Sequence, residues 1–438
     1  MTSIIALRKE GIPAGIPSYC TANAIVIEGV LQQAKRFGND SVLIEATSNQ
    51  CNQFGGYTGM KPADYRDFVY EIADRIGFER SRIILAGDHL GPQPFQNQPE
   101  AEAIENAKEM VRQYVAAGYT KIHLDTSMRV ADDDRNAPLS DYTIAGRGAK
   151  LMRVAEDTWQ ELHRQQPDAI HPVFIIGSEV PIPGGAQVKE EMCVTAPEAF
   201  ENTIKAYKEV FTKEGLIDLW PYIIAVVVQP GVEFGDADVH MYDRSEAKAL
   251  CASLKNHPNV VFEGHSTDYQ SPAALKQMVE DGIGILKVGP ALTFAAREAL
   301  FALNRMEDEL IDDPAKRSNY ISVVEQVMLE NPKNWAKYYK GTDKEIALKR
   351  EYSYSDRSRY YMVDPRIEAA MEKLFANLRG VDIPMGMLHQ YMPMQYVGVR
   401  DGRVAMDPRA LVLDAVRVIC DDYNYATRQN FVAGSVFI

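Results

Sequence analysis

The chain of 438 residues has little cysteine and no cluster of basic residues. Its five cysteines form no CxxC pair, which argues against a disulfide framework and against a cysteine zinc site. The net charge is −14, so we expect neither nucleic acid nor an anionic membrane surface as a partner. An anionic sugar phosphate stays compatible with this charge, because a few local donors can outweigh a distant acidic surface.

Long apolar segments and nucleotide motifs are also absent. No run approaches the roughly 18 apolar residues of a membrane helix, and the first residues, MTSIIALRKEGIPAG, are too short an apolar stretch for a signal peptide. We therefore expect a cytoplasmic protein. The sequence contains no G-x-x-x-x-G-K-[ST] loop, no G-x-G-x-x-G after a predicted strand and no G-x-S-x-G elbow, so we expect no nucleotide cofactor and no serine nucleophile.

Eight short apolar runs recur along the first 300 residues. They are IPSYCTA from 16, SVLIEAT from 41, RIILAGD from 82, KIHLDTS from 121, VFIIGSE from 173, YIIAVVVQ from 222, VVFEGHS from 260 and GILKVGP from 284. Segments with helical periodicity separate most of them, such as residues 101–118. Nearly continuous apolar runs are typical of parallel strands that are covered on both faces. The pattern predicts an α/β fold, either a (β/α)8 TIM barrel or an open doubly wound sheet.

The count of eight and the polar residues at the ends of the runs favour the barrel. We expect residues 1–300 to form it and residues 301–438 to form a C-terminal helical extension packed on it. In a barrel the carboxyl ends of the strands converge on one mouth, where active sites are built. The polar strand-end residues are Glu45, Asp88, His89, Asp125, Glu179, Gln229, His265 and Lys287.

Some of these residues could hold a divalent metal. A metal site needs two or three imidazoles or carboxylates around an open position, and Asp88, His89, Glu179 and His265 could supply such a set. The alternative is that they are ordinary loop residues. We interpret the remaining histidines of the barrel region as satisfied core or loop residues, namely His123, His163, His171, His240 and His257.

The loop after the second run suits a sugar-like ligand. The stretch EATSNQCNQFGGYTG (45–59) contains Glu45 and the amides Asn49, Asn52 and Gln53, whose side chains can bind hydroxyl groups. A polar loop without a ligand is the alternative. Lys287 could form a Schiff base, but a strand-end lysine more often binds an anion or pairs with a carboxylate.

Several long motifs resemble one known family. IEATSNQCNQFGGYTGM, AGDHLGP, KIHLDTSM, EVPIPGG, VVVQPGVEF, EGHSTDYQ and ILKVGPALTF closely resemble the accessory, non-catalytic subunit family of tagatose-1,6-bisphosphate aldolase, which is also labelled tagatose-6-phosphate kinase. That family is similar in turn to class II, zinc-dependent ketose-bisphosphate aldolases, which are (β/α)8 barrels. The resemblance implies that Asp88 is a proton donor or acceptor, and that His89, Glu179 and His265 face a zinc ion.

The sequence also departs from the class II aldolases. Their second zinc histidine falls on Pro230, unless Gln229 substitutes for it. Their phosphate-binding motifs become HSTDY and GPAL. The full set of expected site residues comprises catalytic Asp88, Asp125 and Glu179, metal-binding His89, Glu179 and His265, and substrate-binding Glu45, Asn49, Asn52, Gln53, Ser127, Gln229, Asp268 and Lys287.

Two functions remain open from the sequence. The first is an oligomeric subunit that supports a separate catalytic class II aldolase chain in ketohexose or galactitol-type catabolism. The second is an independent divalent-metal-dependent 4-epimerase of a ketose or ketose phosphate, which works by retro-aldol and aldol steps. A tagatose-6-phosphate kinase is a distant third, because the sequence lacks a nucleotide-phosphate loop.

Overall fold

Eight parallel strands close into a barrel in a computed structural model that describes residues 1–178 and 193–427. The strand order around the barrel is β1, β2, β3, β4, β5, β6, β9 and β10, and β10 pairs with β1 to close it. The predicted (β/α)8 fold with a C-terminal helical extension is confirmed. Within the described ranges the strands are β1 Ile16–Cys20, β2 Val42–Thr47, β3 Ile83–Leu90, β4 Lys121–Leu124, β5 Val173–Ile176, β6 Ile223–Val228, β7 Glu233–Phe234, β8 Val239–His240, β9 Val261–Gly264 and β10 Ile283–Val288.

Helices surround the barrel and form the C-terminal part of the chain. The α-helices are α1 Thr2–Lys9, α2 Ala24–Phe37, α3 Pro62–Ile76, α4 Glu100–Ala116, α5 Asp141–Gln165, α6 Pro197–Lys213, α7 Arg244–Ser253, α8 Pro272–Glu280, α9 Pro290–Leu310, α10 Tyr320–Glu330, α11 Asp343–Tyr352, α12 Pro365–Leu378, α13 Met385–Tyr391, α14 Pro393–Arg400 and α15 Pro408–Thr427. In the described ranges no helix is long and apolar enough to cross a membrane.

Local signals explain why the elements begin and end where they do. The side chain of Asn23 accepts hydrogen bonds from the first amides of α2, and that helix ends at Gly38, which has a φ of 69° that favours glycine. All six residues of β6 are buried, as expected for a strand covered by the barrel interior on one side and by helices on the other. Apolar burial on both faces of the strands therefore stabilises the barrel.

The C-terminal part of the chain packs against the barrel helices. Helix α15 contacts α2, α8 and α9, and it also reaches β1. Helix α9 runs across residue 300, so the division of the chain at that position stays a proposal. Between β6 and α7 the short antiparallel hairpin β7–β8 lies at the carboxyl side of the barrel.

Candidate active site at the barrel mouth

A cavity of about 90 Å³ lies where the carboxyl ends of the barrel strands meet. Strand ends supply most of its wall, but Arg359 and Tyr360 of the C-terminal extension also line it. The lining residues that carry charge or can titrate near neutral pH include Asp88, His89, His265, Asp268, Lys287 and Arg359. Of the polar strand-end residues expected at the mouth, Asp88, His89, His265 and Lys287 line this cavity, whereas Glu45, Asp125 and Gln229 do not.

A local irregularity in β3 brings two consecutive side chains into the same cluster. The pairing of β3 with β4 shifts register between Gly87 and Leu90, and His89 has a φ of 50°. In a regular strand, neighbouring side chains point to opposite faces, so the bulge is what allows both Asp88 and His89 to line the cavity. Gly91 permits the close approach of the next strand, because a Cβ there would lie 1.6 Å from the carbonyl oxygen of Asp125.

Three histidine rings form the centre of the cluster. The ring of His89 lies 5.0 Å from that of His265 and 5.3 Å from that of His123, and the last two are 5.3 Å apart between centroids. His123 Nδ1 lies 2.7 Å from Oδ1 of Asp88. Nδ1 donates to this carboxylate when it holds the imidazole proton, and the amide of His89 also points at Nδ1, at 3.3 Å. Among the described residues, the buried Nε2 of His123 has no hydrogen-bond partner.

Four donors in this cluster fit a divalent metal. Asp88, His123, Glu263 and His265 each offer a ligand atom within 4.8 Å of the others. Burial lowers the pKa of His265 to about 4, which keeps its imidazole in the neutral form that binds metals. Two imidazoles and two carboxylates suit zinc or manganese. One of these imidazoles, that of His123, has a buried nitrogen with no hydrogen-bond partner among the described residues. A second set, Cys20, Glu45 and Asp88, fits a cation less well, because it has no imidazole and burial raises the pKa of the Cys20 thiol well above its usual value.

Two buried lysines neutralise the carboxylates of the barrel interior. Lys121 Nζ lies 2.5 Å from Glu45 Oε1 and 2.8 Å from Glu263 Oε2. Lys287 bridges Glu45 and Asp88, and its Nζ is 2.6 Å from Asp88 Oδ2. Although burial disfavours its charge, the carboxylates around Lys287 raise its pKa well above the usual value. A lysine held in the ammonium form is a poor Schiff-base nucleophile, so we interpret Lys287 as a cation that binds substrate or stabilises Asp88.

The positive charges act in return on Asp88. Burial opposes ionisation of this carboxyl group, but the charges of His89 and Lys287 outweigh it and hold the pKa of Asp88 well below its usual range. Asp125 has a supporting position, since its Oδ2 lies 2.7 Å from His89 Nδ1 while its Oδ1 accepts hydrogen bonds from Ser127. Despite burial, the hydrogen bond from His89 lowers the pKa of Asp125 to about 2. Asp125 and Ser127 thus fix the orientation of the His89 ring.

The other expected substrate residues divide into two groups. Asn49, Asp268 and Lys287 line the cavity. Asn52 and Gln53 instead hold their own loop: Asn52 donates to the carbonyl of Ser48, and Gln53 donates to that of Asn106. The side chain of Gln229 accepts hydrogen bonds from the amides of Gly231 and Val232, and it does not belong to the donor set. Glu179 lies outside the described residues.

Sequence reasoning missed several residues of the site. His123 was interpreted as an ordinary core histidine, whereas the structure places its ring beside those of His89 and His265. His123 lies inside the predicted fourth strand, whereas the expected ligands lie at strand ends; of these, His89 is not among the four donors. Glu263 and Lys121 escaped for the same reason. The signal that indicates all three residues is a histidine, glutamate or lysine inside an otherwise apolar strand.

The segment that contributes Arg359 is anchored to the barrel by buried charges. Asp356 accepts a hydrogen bond of 2.9 Å from Arg297 Nε and one of 2.6 Å from Thr293 Oγ1, both on α9. The guanidinium of Arg359 donates to the hydroxyl of Tyr360 at 3.1 Å, and the ring of Tyr360 packs edge-on against Tyr57. These contacts hold part of the C-terminal extension over the cavity.

The fold and the site together define a (β/α)8-barrel protein with a candidate metal centre at the carboxyl ends of its strands. The chain belongs to the D-tagatose-1,6-bisphosphate aldolase subunit GatZ/KbaZ-like family, whose sequence profile matches residues 1–428. This result confirms the resemblance that the sequence motifs indicated.

The chain is also similar to proteins of solved structure. The chain is 46% identical to a probable tagatose 6 phosphate kinase from Sinorhizobium meliloti 1021, with 94% of this chain and 100% of that chain covered and a TM-score of 0.85. It also matches the YdjI aldolase from Escherichia coli K12 at 14% identity, over 85% of this chain and 97% of that chain, with a TM-score of 0.39. The match to the fructuronate-tagaturonate epimerase UxaE from Cohnella laeviribosi has 12% identity, 94% and 82% coverage and a TM-score of 0.42.

Proposed function

We propose that this protein is a tagatose-1,6-bisphosphate aldolase subunit-like protein of ketohexose catabolism, and that its barrel mouth is a working ketose site. Family membership supports the subunit role in class II aldol cleavage to triose phosphates. One observation supports the proposal of a working ketose site. A set of four metal-binding donors lies beside a cavity lined by Lys287, and its members are Asp88, His123, Glu263 and His265. A barrel with a purely structural role has no need of a desolvated cluster of this kind, which is costly to bury.

The donor set assigns the residues that would hold a divalent metal. When bound, such an ion would polarise the C2 carbonyl of a ketose. Lys287 places an ammonium group at the same cavity and can donate to a substrate oxygen. Asp88 is ionised and can accept the proton of the C4 hydroxyl as the C3–C4 bond breaks, while His123, Glu263 and His265 would hold the ion. The C4 oxygen then becomes the carbonyl oxygen of the released aldehyde, and the electron pair of the broken bond passes to C3 and the C2 carbonyl.

A specific observation favours the second candidate function, an independent 4-epimerase of a ketose or ketose phosphate. All four donors come from this one chain, so the candidate centre needs no residue from a partner. In the epimerase the aldehyde fragment would turn its other face to C3 before the bond re-forms, which inverts C4. Asp88 would return the proton to the C4 oxygen. Glu179, whose sequence context resembles that of an aldolase glutamate, stays a candidate for the second acid or base.

Turnover by the purified chain separates these functions. The protein would be incubated with and without zinc or manganese, with tagatose, its 6-phosphate and its 1,6-bisphosphate, and C4 epimers and triose products would be followed by NMR. Formation of a C4 epimer that depends on the added metal would identify the protein as a 4-epimerase. A folded, metal-loaded protein that forms no product contradicts the epimerase and leaves the subunit role, for which a catalytic class II aldolase chain would then be added.

The remaining expectations belong to the subunit role. Met385 and Met394 of the C-terminal part have exposed side chains, and a partner chain would be expected to cover this part of the surface on association. An oligomeric state and a cytoplasmic location stay predictions from the sequence.

A kinase activity, which the name of the Sinorhizobium meliloti protein suggests, would require ATP binding, and calorimetry with ATP tests it directly.

A further inference from the structure

The amino end of α9 lies at the candidate cavity. The side chain of Asp268 already binds amides at this helix end. Asp268 Oδ1 accepts hydrogen bonds from the amide of Gly289 at 2.9 Å and from that of Ala291 at 2.8 Å. Asp268 is 2% exposed, and with Gly289 and Pro290 it lines the cavity. Helix α9, of 21 residues, begins at Pro290, so these amides belong to its first turn.

The first turn of α9 has no further donor to offer. Helix amino ends bind phosphate through their unpaired amides and the positive end of the helix dipole. Here Pro290 has no N–H group, and the amides of Leu292 and Thr293 donate to the carbonyl of Gly289 at 3.1 and 3.4 Å. With the amides of Gly289 and Ala291 bound to Asp268, every donor of this turn is engaged.

Arg359, the cation that the extension brings to the cavity, is engaged in part by its own segment. Arg359 Nη1 donates to the carbonyls of Ser355 and Asp356, and Nη2 donates to the hydroxyl of Tyr360. A phosphate at this end of the cavity would therefore face a buried carboxylate and compete for amides that are already bound. Like charges at close range in a desolvated site repel strongly.

We propose that Asp268 determines the substrate class of this site by occupying the anion position at the amino end of α9. The ketose end that lies there carries a hydroxyl group, which can donate to the carboxylate, and not a phosphate. This inference rests on the proposed ketose site. A ketose 1,6-bisphosphate has a phosphate at each end, so one phosphate would meet Asp268 whichever end of the sugar lies beside α9. In the subunit role, cleavage of the bisphosphate would therefore take place on the partner chain.

Two variants of Asp268 test the inference. Asp268→Ser removes the carboxylate and frees both amides, while Asp268→Asn removes the charge but keeps a carbonyl oxygen that can accept from them. Asp243→Asn is the matched control, because Asp243 also accepts a helix-start amide, that of Ser245 at 2.7 Å, but on exposed α7. Circular dichroism and thermal unfolding would establish that each variant is folded.

The first readout is calorimetric titration with inorganic phosphate in the presence of a chelator, which requires no turnover. We expect phosphate to bind Asp268→Ser at least tenfold more tightly than the wild type, Asp268→Asn to show a smaller gain, and Asp243→Asn to match the wild type. Equal phosphate affinity of the wild type and both Asp268 variants would overturn the inference.

The second readout compares tagatose with its 1,6-bisphosphate on the metal-loaded protein. We expect the wild type to bind the neutral sugar at least tenfold more tightly, and Asp268→Ser to lose this preference. A wild type that prefers the bisphosphate would also overturn the inference. If the wild type binds neither sugar, the proposed ketose site fails, while the phosphate titrations still decide what Asp268 does.

Discussion

Nδ1 of His123 lies 2.7 Å from Oδ1 of Asp88, and this contact joins two neighbouring strands of the barrel at its mouth. Asp88 fixes the ring orientation of His123, whose buried Nε2 has no hydrogen-bond partner in the part of the chain that the structure describes. The same carboxylate contacts Lys287 through its other oxygen. Asp88 thus couples the histidine cluster to the lysine–carboxylate chain inside the barrel.

The first prediction concerns metal affinity. The wild type is expected to bind one zinc or manganese ion per chain, and His123→Ala or His265→Ala is expected to weaken this binding at least tenfold, because each removes a ligand of the donor set. Competition with a chromogenic chelator measures the affinity. His389→Ala, which removes an exposed histidine of α13, is the control and should leave affinity unchanged. Equal affinity of all four proteins would contradict the proposed centre.

The second prediction concerns the buried ammonium group of Lys287. Lys287→Met leaves Glu45 and Asp88 without a cation that contacts both, and loss of one partner from a buried ion pair costs about 3–5 kcal/mol of unfolding free energy. Urea denaturation of the metal-free protein measures this loss. The surface lysine of the Lys276–Glu280 pair offers a control, since Lys276→Met should cost less than about 1 kcal/mol. Equal stability of the two variants would show that the Lys287 contacts contribute little.

The barrel was predictable because its signal is local and repeated. The apolar run of residues 222–229 contains all of β6, Ile223–Val228, and polar residues at the ends of the second to eighth runs indicated the mouth. The hairpin β7–β8 was not predicted, since strands of two residues have no measurable periodicity.

The site was predictable only where its residues stand in motifs. Asp88, His89 and His265 were found because polar groups follow apolar runs there. The contribution of Arg359 depends on how the C-terminal extension folds back over the mouth, and a local pattern contains no information about that contact. The role of Asp268 depends on its hydrogen bonds to the amides of Gly289 and Ala291, which only the folded chain brings together.

The third prediction is a pH dependence of stability that originates from Glu233. Burial raises the pKa of Glu233 to about 7 from an ordinary value of 4.5. Because the folded state favours the protonated form, the stabilisation is fully present below pH 4.5 and is lost as the pH rises to about 7. A shift of this size corresponds to roughly 3 kcal/mol.

The comparison of the wild type with Glu233→Gln isolates this effect. Unfolding free energies measured by urea between pH 4.5 and 8 with a chelator present should fall more steeply for the wild type than for the variant, and the difference should level off above pH 7. Glu246→Gln, at an exposed position on α7, should follow the wild type. Parallel curves for the wild type and Glu233→Gln would contradict the prediction.

The fourth prediction concerns the anchor that holds Arg359 over the cavity. Asp356→Asn removes the negative charge that pairs with the buried guanidinium of Arg297, and it weakens the contact with Thr293. We expect hydrogen exchange of residues 353–361 to become at least tenfold faster, because their attachment to α9 depends on this carboxylate. Ketose binding should weaken in the same variant, since Arg359 and Tyr360 line the cavity. Asp364→Asn breaks only a more exposed pair with Arg366 and should change neither exchange nor binding. Faster exchange without weaker binding would show that the extension packs on the mouth but takes no part in holding the sugar.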